Sequence, residues 1–243
     1  GWGTLLEICT GPNSNLGIAA EEFSNVEVIR ITDKQDFSKR SCVDAIKDQI
    51  RSKPGTSLHG SLPCTVWSTW QFMAAHRNGT QYAKRLEKRR QKSMAMFRSF
   101  VECAELALSL GGEVSFEWPR HCTGWLRTEV VNFIHRNDLY SSNVDGCACG
   151  MTDEHGVPIL KQWRFVTSSH RQAAALSSLR CQHPKEFQHG VIQGSTTKLT
   201  ESYPLKLCRT ILSSVFGLYN FSPCMPCTTT PCCSNHQHRE KEV

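Results

Sequence analysis

Short apolar, β-branched runs alternate with amphipathic helical stretches along most of this chain, and the alternation leaves few architectures open. Residues 5–9 form a short apolar run, and residues 16–23, carrying Ala and Glu, read as a helix. Residues 26–32 are β-branched and strand-like. Residues 41–51 fit an amphipathic helix with Val43, Ile46 and Ile50 on one face. Pro54-Gly55 marks a turn, and residues 56–62 lead as a strand into Pro63-Cys64. Residues 84–110 are the longest helical stretch, with Phe97, Val101, Ala104 and Leu108 in one stripe and a stop at Gly111-Gly112. Residues 113–117 read as a strand, residues 125–137 as a helix, and residues 139–147 and 164–167 as later strands. Strands and helices in this order predict an α/β domain, a mostly parallel sheet with helices on both faces.

The rhythm breaks beyond Ser168. The expected organisation is a core over residues 1–168, a Cys/His-containing extension over 169–219 that closes the core, and a tail over 220–243 that lacks a core and is disordered. Within the extension, residues 203–211 read as a closing helix, with Leu205, Cys208 and Ile211 or Leu212 on one side. A chain of 243 residues suffices for one α/β domain with a modest appendage. No apolar run approaches the roughly 18 residues of a membrane span, so no membrane partner is expected. The chain opens Gly1-Trp2-Gly3, which fits a fragment or a processed piece, and no secretory signal is visible before the first strand. Thirteen cysteines are scattered through apolar segments rather than spaced along short loops. That pattern reads as reduced thiols in an intracellular setting, nucleus or cytoplasm.

Net charge is +6 and unevenly spread. Arg77, Lys84, Arg85, Lys88, Arg89, Arg90, Lys92 and Arg98 face a single acid, Glu87, in the same stretch. Such a block can neutralise phosphates and release counterions. The other reading is a solvated helix face. Its place just after the Cys64 loop favours a nucleic-acid partner, DNA before RNA.

Ligands of open α/β sheets sit beyond the carboxyl ends of the strands. The turn after the first strand, Thr10-Gly11-Pro12-Asn13-Ser14, lies at such a place, with Glu7 at the strand end. Its small residues let backbone N–H groups approach a polar ligand. Asp33, ending the second strand, is placed to accept from ribose hydroxyls, and Asp36-Phe37 to meet adenine. Ordinary turn and capping chemistry is the alternative for all of these. No Gly-Lys-Ser or Gly-Lys-Thr sequence supports a P-loop.

Pro63 fixes the backbone just before the Cys64 thiol. A thiolate of lowered pKa that stays accessible is a strong nucleophile; a buried structural cysteine is the alternative. Glu117, before Trp118-Pro119, stands at another strand end. In a parallel sheet it emerges on the same edge as Cys64. A thiol beside a carboxyl that holds a proton suits attack on an electron-poor ring.

The order of these segments resembles the DNA cytosine-5 methyltransferases. The residues that carry the resemblance are the turn at Glu7–Gly17, Pro63-Cys64, Phe116-Glu117-Trp118-Pro119, and Gly156-Val157-Pro158 leading to Lys161-Gln162-Trp163-Arg164-Phe165-Val166. Trp118 stands where that family has Asn, and only Lys161 and Arg164 represent its paired arginines. A looser likeness is to divergent methyltransferase-like proteins of mobile elements and viruses. The resemblance implies a Rossmann-like class I methyltransferase fold with a Cys/His-rich C-terminal extension and S-adenosylmethionine as cofactor. Glu7, Thr10, Gly11, Asn13, Ser14, Asp33, Asp36, Phe37 and Pro63 would line the cofactor. Cys64 would be the nucleophile, Glu117 the partner of ring nitrogen 3, and Arg164 or Lys161 the partner of the ring carbonyl. Arg77, Lys84, Arg85, Lys88, Arg89 and Arg90 would meet nucleic acid. The alternatives are an inactive nucleic-acid-binding module, or a methyltransferase with another target in which Cys64 merely packs.

Cys181-Gln182-His183 and His189 bring thiol and imidazole groups together, with Cys147 and Cys149 upstream as sources of one further ligand. That donor set suits zinc, and loop residues without a metal are the alternative. Gly190, Gly194 and Thr196-Thr197 could form a phosphate-contacting loop. Cys224, Cys227, Cys232, Cys233, His236 and His238 resemble half a zinc knuckle or a disordered tail.

Overall fold

A computed structural model describes residues 3–192 and 200–217. The tail beyond residue 217 and the Gly194 and Thr196-Thr197 segment lie outside the described residues. So do the expectations attached to them.

Six strands form one sheet: β1 (Gly3–Ile8), β2 (Val26–Ile31), β3 (Ser57–Gly60), β4 (Val114–Pro119), β5 (Tyr140–Asp145) and β6 (Gln162–Thr167). Their spatial order is β2-β1-β3-β4-β6-β5. Neighbours from β2 through β4 pair in parallel, while β6 pairs antiparallel with both β4 and β5. Five strands therefore point one way and β6 alone points back. The reason is the connection. The earlier strands are joined through helices, which parallel neighbours require. Between β5 and β6 there is only a 3-10 turn at Gly146–Cys149 and a loop, so the chain returns reversed.

Alternate residues of each strand feed two cores. Leu6, Ile8, Leu58, Phe116 and Trp118 face one side, while Leu5, Val26, Trp163 and Phe165 face the other. The first face is covered by α2 (Arg40–Ser52), α3 (Trp70–Ser109) and α4 (Thr128–Arg136). Val43, Ile46 and Ile50 of α2 are buried there, as their spacing requires. Phe97, Phe100, Phe116, Trp118 and Phe133 form a fully buried aromatic cluster with mostly edge-on contacts. Each such side chain contributes about 2 kcal/mol by burial. Gly60, at the end of β3, lets α3 come this close. A Cβ there would stand 2.7 Å from the Phe100 ring.

The second face is covered by α1 (Asn15–Ala20), α5 (His170–Ser177) and α6 (Leu205–Phe216), with Leu176, Leu207, Ile211 and Leu212 buried. Two elements differ from expectation. A helix at α5 replaces the irregular stretch expected after Ser168. Its apolar side is only Ala173 and Leu176, too few to register as a period, and Ser169 caps it by accepting from the Gln172 N–H. Helix α3 begins at Trp70 rather than near residue 84, and Gly79 interrupts it at φ 72° and ψ −170°. Its first part leaves Trp70, Phe72 and Met73 exposed, so no apolar stripe marks it. No helix among the described residues is long and apolar enough to cross a membrane.

Candidate active site and metal centre

Strand β1 has β2 on one side and β3 on the other, so the crossovers after β1 and β2 part in opposite directions. The carboxyl ends of β1 and β3 flank this switch point, where open α/β sheets leave a crevice. A cavity of about 570 Å³ lies there. Its walls come from segments far apart in the chain: the turn after β1, the Pro63-Cys64 loop after β3, Glu117 of β4, and Lys161 beside β6.

The turn after β1 is built on a buried carboxylate. Glu7 accepts from the Thr10 hydroxyl at 2.8 Å and the Ser14 hydroxyl at 2.5 Å. Arg30 of β2 donates to the Ser14 hydroxyl and carbonyl. Burial still holds the Glu7 carboxyl above its usual range, partly offset by the two hydroxyls. Cys9 takes φ 63°, a left-handed conformation that costs a non-glycine residue about 1–2 kcal/mol, and this folds residues 10–14 back over Glu7. Thr10, Gly11, Asn13 and Ser14 thus line the cavity with Glu7 behind them, and nothing lies within 4 Å of where a Gly11 Cβ would be.

Across the cavity stand Cys64, Glu117 and Lys161. Glu117 is buried, and its Oε1 accepts from the Tyr203 hydroxyl at 2.8 Å. Its Oε2 is buried without a hydrogen-bond partner among the described residues. Burial raises its carboxyl to about 7, against the lowering effect of the Tyr203 hydrogen bond and the Lys161 charge. The group therefore carries a proton part of the time at neutral pH. Lys161 donates to the Thr200 carbonyl and lies 5.2 Å from the Trp163 ring centre. Burial lowers its pKa, which the Glu117 and Cys64 charges partly restore. Cys64 corrects the expectation of a lowered thiol pKa. Burial first, and then the Glu117 charge, push it up to about 11. It rests as a thiol and must lose its proton during any attack.

Tyr203 lines this site and His59 is buried behind it, and neither was legible as such. The Tyr203 hydroxyl has one proton, which goes to Glu117; Ser61 at 2.8 Å and His59 Nε2 at 3.2 Å therefore face its oxygen as donors. His59 Nδ1 is then left to accept from Ser115 at 2.8 Å. Fully buried, His59 has its pKa lowered to about 4 and stays neutral. The Tyr203 carbonyl accepts from Asn15 at 2.7 Å, which ties the segment before α6 to the start of α1. An uninterrupted polar residue in the β3 run, His59, was the available signal. Tyr203 had none, because its partner lies 86 positions away.

Several expected residues lie elsewhere. Arg164 does not line the cavity. Its strand neighbour Trp163 does, and the pleat turns Arg164 to the opposite face, 4.8 Å from the Trp125 ring centre and donating to Ser141. Asp33, Asp36 and Phe37 are also outside the cavity lining. Asp33 is exposed, and Asp36 accepts from the Ser38 amide and hydroxyl in a turn. Phe37 is 3% exposed in the core beneath α2, so it has no face to offer adenine. Pro63 does line the cavity.

On α3, Arg77, Lys84, Arg85, Lys88 and Arg89 are exposed. Arg90 is half-buried and engaged within the protein. It donates to the Val66 carbonyl and lies 5.5 Å and 5.6 Å from the Trp67 and Phe72 ring centres, pinning α3 to the Cys64 loop.

A second cluster joins the turn after β5 to the segment after α5. Cys147, Cys181, His183 and His189 have their donor atoms within 4.8 Å of one another, and the group could hold a metal ion such as zinc. Cys147 joins the three expected residues; Cys149, the other candidate, is buried in the second core.

No protein-family model, no curated protein and no solved structure matches this chain.

Proposed function

We propose that the cavity is the active site of an S-adenosylmethionine-dependent methyltransferase that acts on cytosine in nucleic acid through Cys64. One observation carries this reading. Cys64, Glu117 and Lys161, brought from three separate segments, line one cavity at the switch point and share it with the turn at residues 10–14. The volume is in the range of sites that enclose a drug-sized ligand. Thr10, Gly11, Asn13, Ser14 and Pro63 would hold the cofactor, in the room the open Gly11 turn leaves. When bound, it supplies an electrophilic methyl group to carbon 5 of the ring.

The chain's own groups suit the rest of the chemistry. The target cytosine must leave its stack to enter a cavity of this kind. Cys64 Sγ gives up its proton to solvent, a loss that the Lys161 ammonium favours, and the thiolate forms the bond to carbon 6. Glu117, with its carboxyl near 7 and a free Oε2, supplies the proton that ring nitrogen 3 takes as electrons move toward carbon 5. After methylation a solvent base removes the carbon 5 proton, the carbon 6–sulfur bond breaks to release the Cys64 thiolate, and ring nitrogen 3 returns its proton to Glu117. The exposed cations of α3, next to exposed Trp70 and Phe72, suit a phosphate backbone and unstacked bases.

The elevated Cys64 thiol and the displacement of Arg164 favour a second reading, a nucleic-acid-binding module without turnover. Transfer of labelled methyl groups to duplex DNA, single-stranded DNA and RNA decides between them. Label in cytosine, lost in Cys64→Ser, supports the enzyme. Nucleic-acid binding without cofactor binding or label supports the module. Label that survives Cys64→Ser means another target.

A further inference from the structure

The geometry points to a structural zinc ion held by Cys147, Cys181, His183 and His189, an ion that fixes the wall of the cavity carrying Lys161. Cys181 Sγ lies 3.3 Å from His183 Nδ1 and 3.4 Å from His189 Nε2, and the two nitrogens are 3.3 Å apart. Hydrogen bonds do not explain this triangle. Each ring nitrogen has one lone pair or one proton in the ring plane, and it cannot be directed at two partners at once. A common centre does explain it. Tetrahedral zinc with Zn–S near 2.3 Å and Zn–N near 2.0–2.1 Å sets nitrogen–nitrogen and sulfur–nitrogen pairs about 3.3–3.6 Å apart. Cys147 supplies the fourth corner. Two thiolates and two imidazoles in a tetrahedral set select zinc, and four protein ligands leave no open position for a substrate.

The surroundings are built to hold these donors. Asp145 Oδ2 accepts from the Cys181 amide at 3.0 Å and from Arg180 at 2.8 Å, while Oδ1 accepts from Gln162. The Phe187 ring stacks on His183 at 4.1 Å and 13°, shielding one side. The ion would join the turn after β5 to the segment at residues 181–190. That turn is bonded to the cavity wall, since the Gly146 amide donates to the Lys161 carbonyl at 2.7 Å. The same turn receives Lys206 of α6 through the Ala148 carbonyl. Zinc thus positions Lys161 and the approach to α6 without touching a substrate.

Metal analysis of the full chain purified without chelator tests this. Wild type contains zinc, and Cys181→Ser and Cys147→Ser each lower the content by one ion per chain. Cys149→Ser, in the same turn, leaves the content unchanged. Cobalt added to the zinc-depleted chain gives the intense visible bands of a tetrahedral site with thiolate charge transfer, and Cys181→Ser lowers them. Full zinc content in Cys181→Ser, iron in place of zinc, octahedral cobalt bands, or a Cys147–Cys181 disulfide found by peptide mapping would each overturn the assignment. The outcome is independent of methyl transfer.

Discussion

Glu117→Gln should change how stability depends on pH, and the change follows from the burial of one carboxyl. In the folded chain Glu117 titrates at about 7, against 4.5 for an ordinary carboxyl. Between those values the native state keeps a proton that the unfolded chain has lost. Native protein binds more protons, so stability falls as pH rises through this window. Below about pH 4.5 the contribution is fully present; above about pH 7 it is gone. Integrating the two titrations gives a loss of about 2.5 kcal/mol between pH 5 and pH 8. Gln cannot ionise, yet it can still accept from Tyr203. Urea unfolding of both proteins across this range should show the gap between wild type and Glu117→Gln moving by about that amount, in favour of the variant at pH 8. Tyr203→Phe removes the hydrogen bond that lowers the carboxyl, so it should shift the window upward. Parallel pH profiles for wild type and Glu117→Gln would refute the reasoning, because Glu117 would then titrate normally in the folded chain.

Replacing Lys84, Arg85, Lys88 and Arg89 together by Ala should weaken nucleic-acid binding and flatten its salt dependence, by about 0.9 in the log–log slope for each duplex phosphate released; filter binding across a salt series measures it. Arg90→Ala should leave that slope unchanged and lower stability by about 1–2 kcal/mol, read by urea unfolding, because its guanidinium serves Val66, Trp67 and Phe72. Ser14→Ala removes a helix cap, a Glu7 partner and an Arg30 acceptor at once, so it should cost about 1–3 kcal/mol and weaken cofactor binding measured by calorimetry.

The alternation of strands and helices was legible because each element carries its own period. Val43, Ile46 and Ile50 announce α2, and the β-branched run at 26–31 announces β2. The direction of β6 was not legible, since a strand reads the same both ways and only the missing crossover helix decides. Nor were α5, whose buried side is two residues, and the start of α3, whose large apolar side chains are left exposed. Cys64, Glu117 and the turn at 10–14 were placed from strand ends and Lys161 only through the family resemblance, and all of them line the one cavity. The roles given to Asp33, Asp36 and Phe37 assumed that a strand's end faces the cavity, but Asp33 and Asp36 lie outside its lining and Phe37 fills the core. Arg164 failed by one position of pleat. Tyr203 was out of reach because only folding brings its hydroxyl to Glu117. Three of the four metal-cluster residues were visible from local spacing, and the structure chose Cys147 over Cys149.

Covalent trapping addresses the role of Cys64 most directly. With S-adenosylmethionine and nucleic acid containing 5-fluorocytosine, the fluorine occupies the position of the proton that must leave, so the carbon 6–sulfur bond cannot be released. The predicted result is a denaturation-resistant adduct whose mass maps to the Cys64 peptide and which Cys64→Ser abolishes. Methylated cytosine formed without any adduct, or an adduct on another cysteine, would contradict the assignment of Cys64 as the nucleophile.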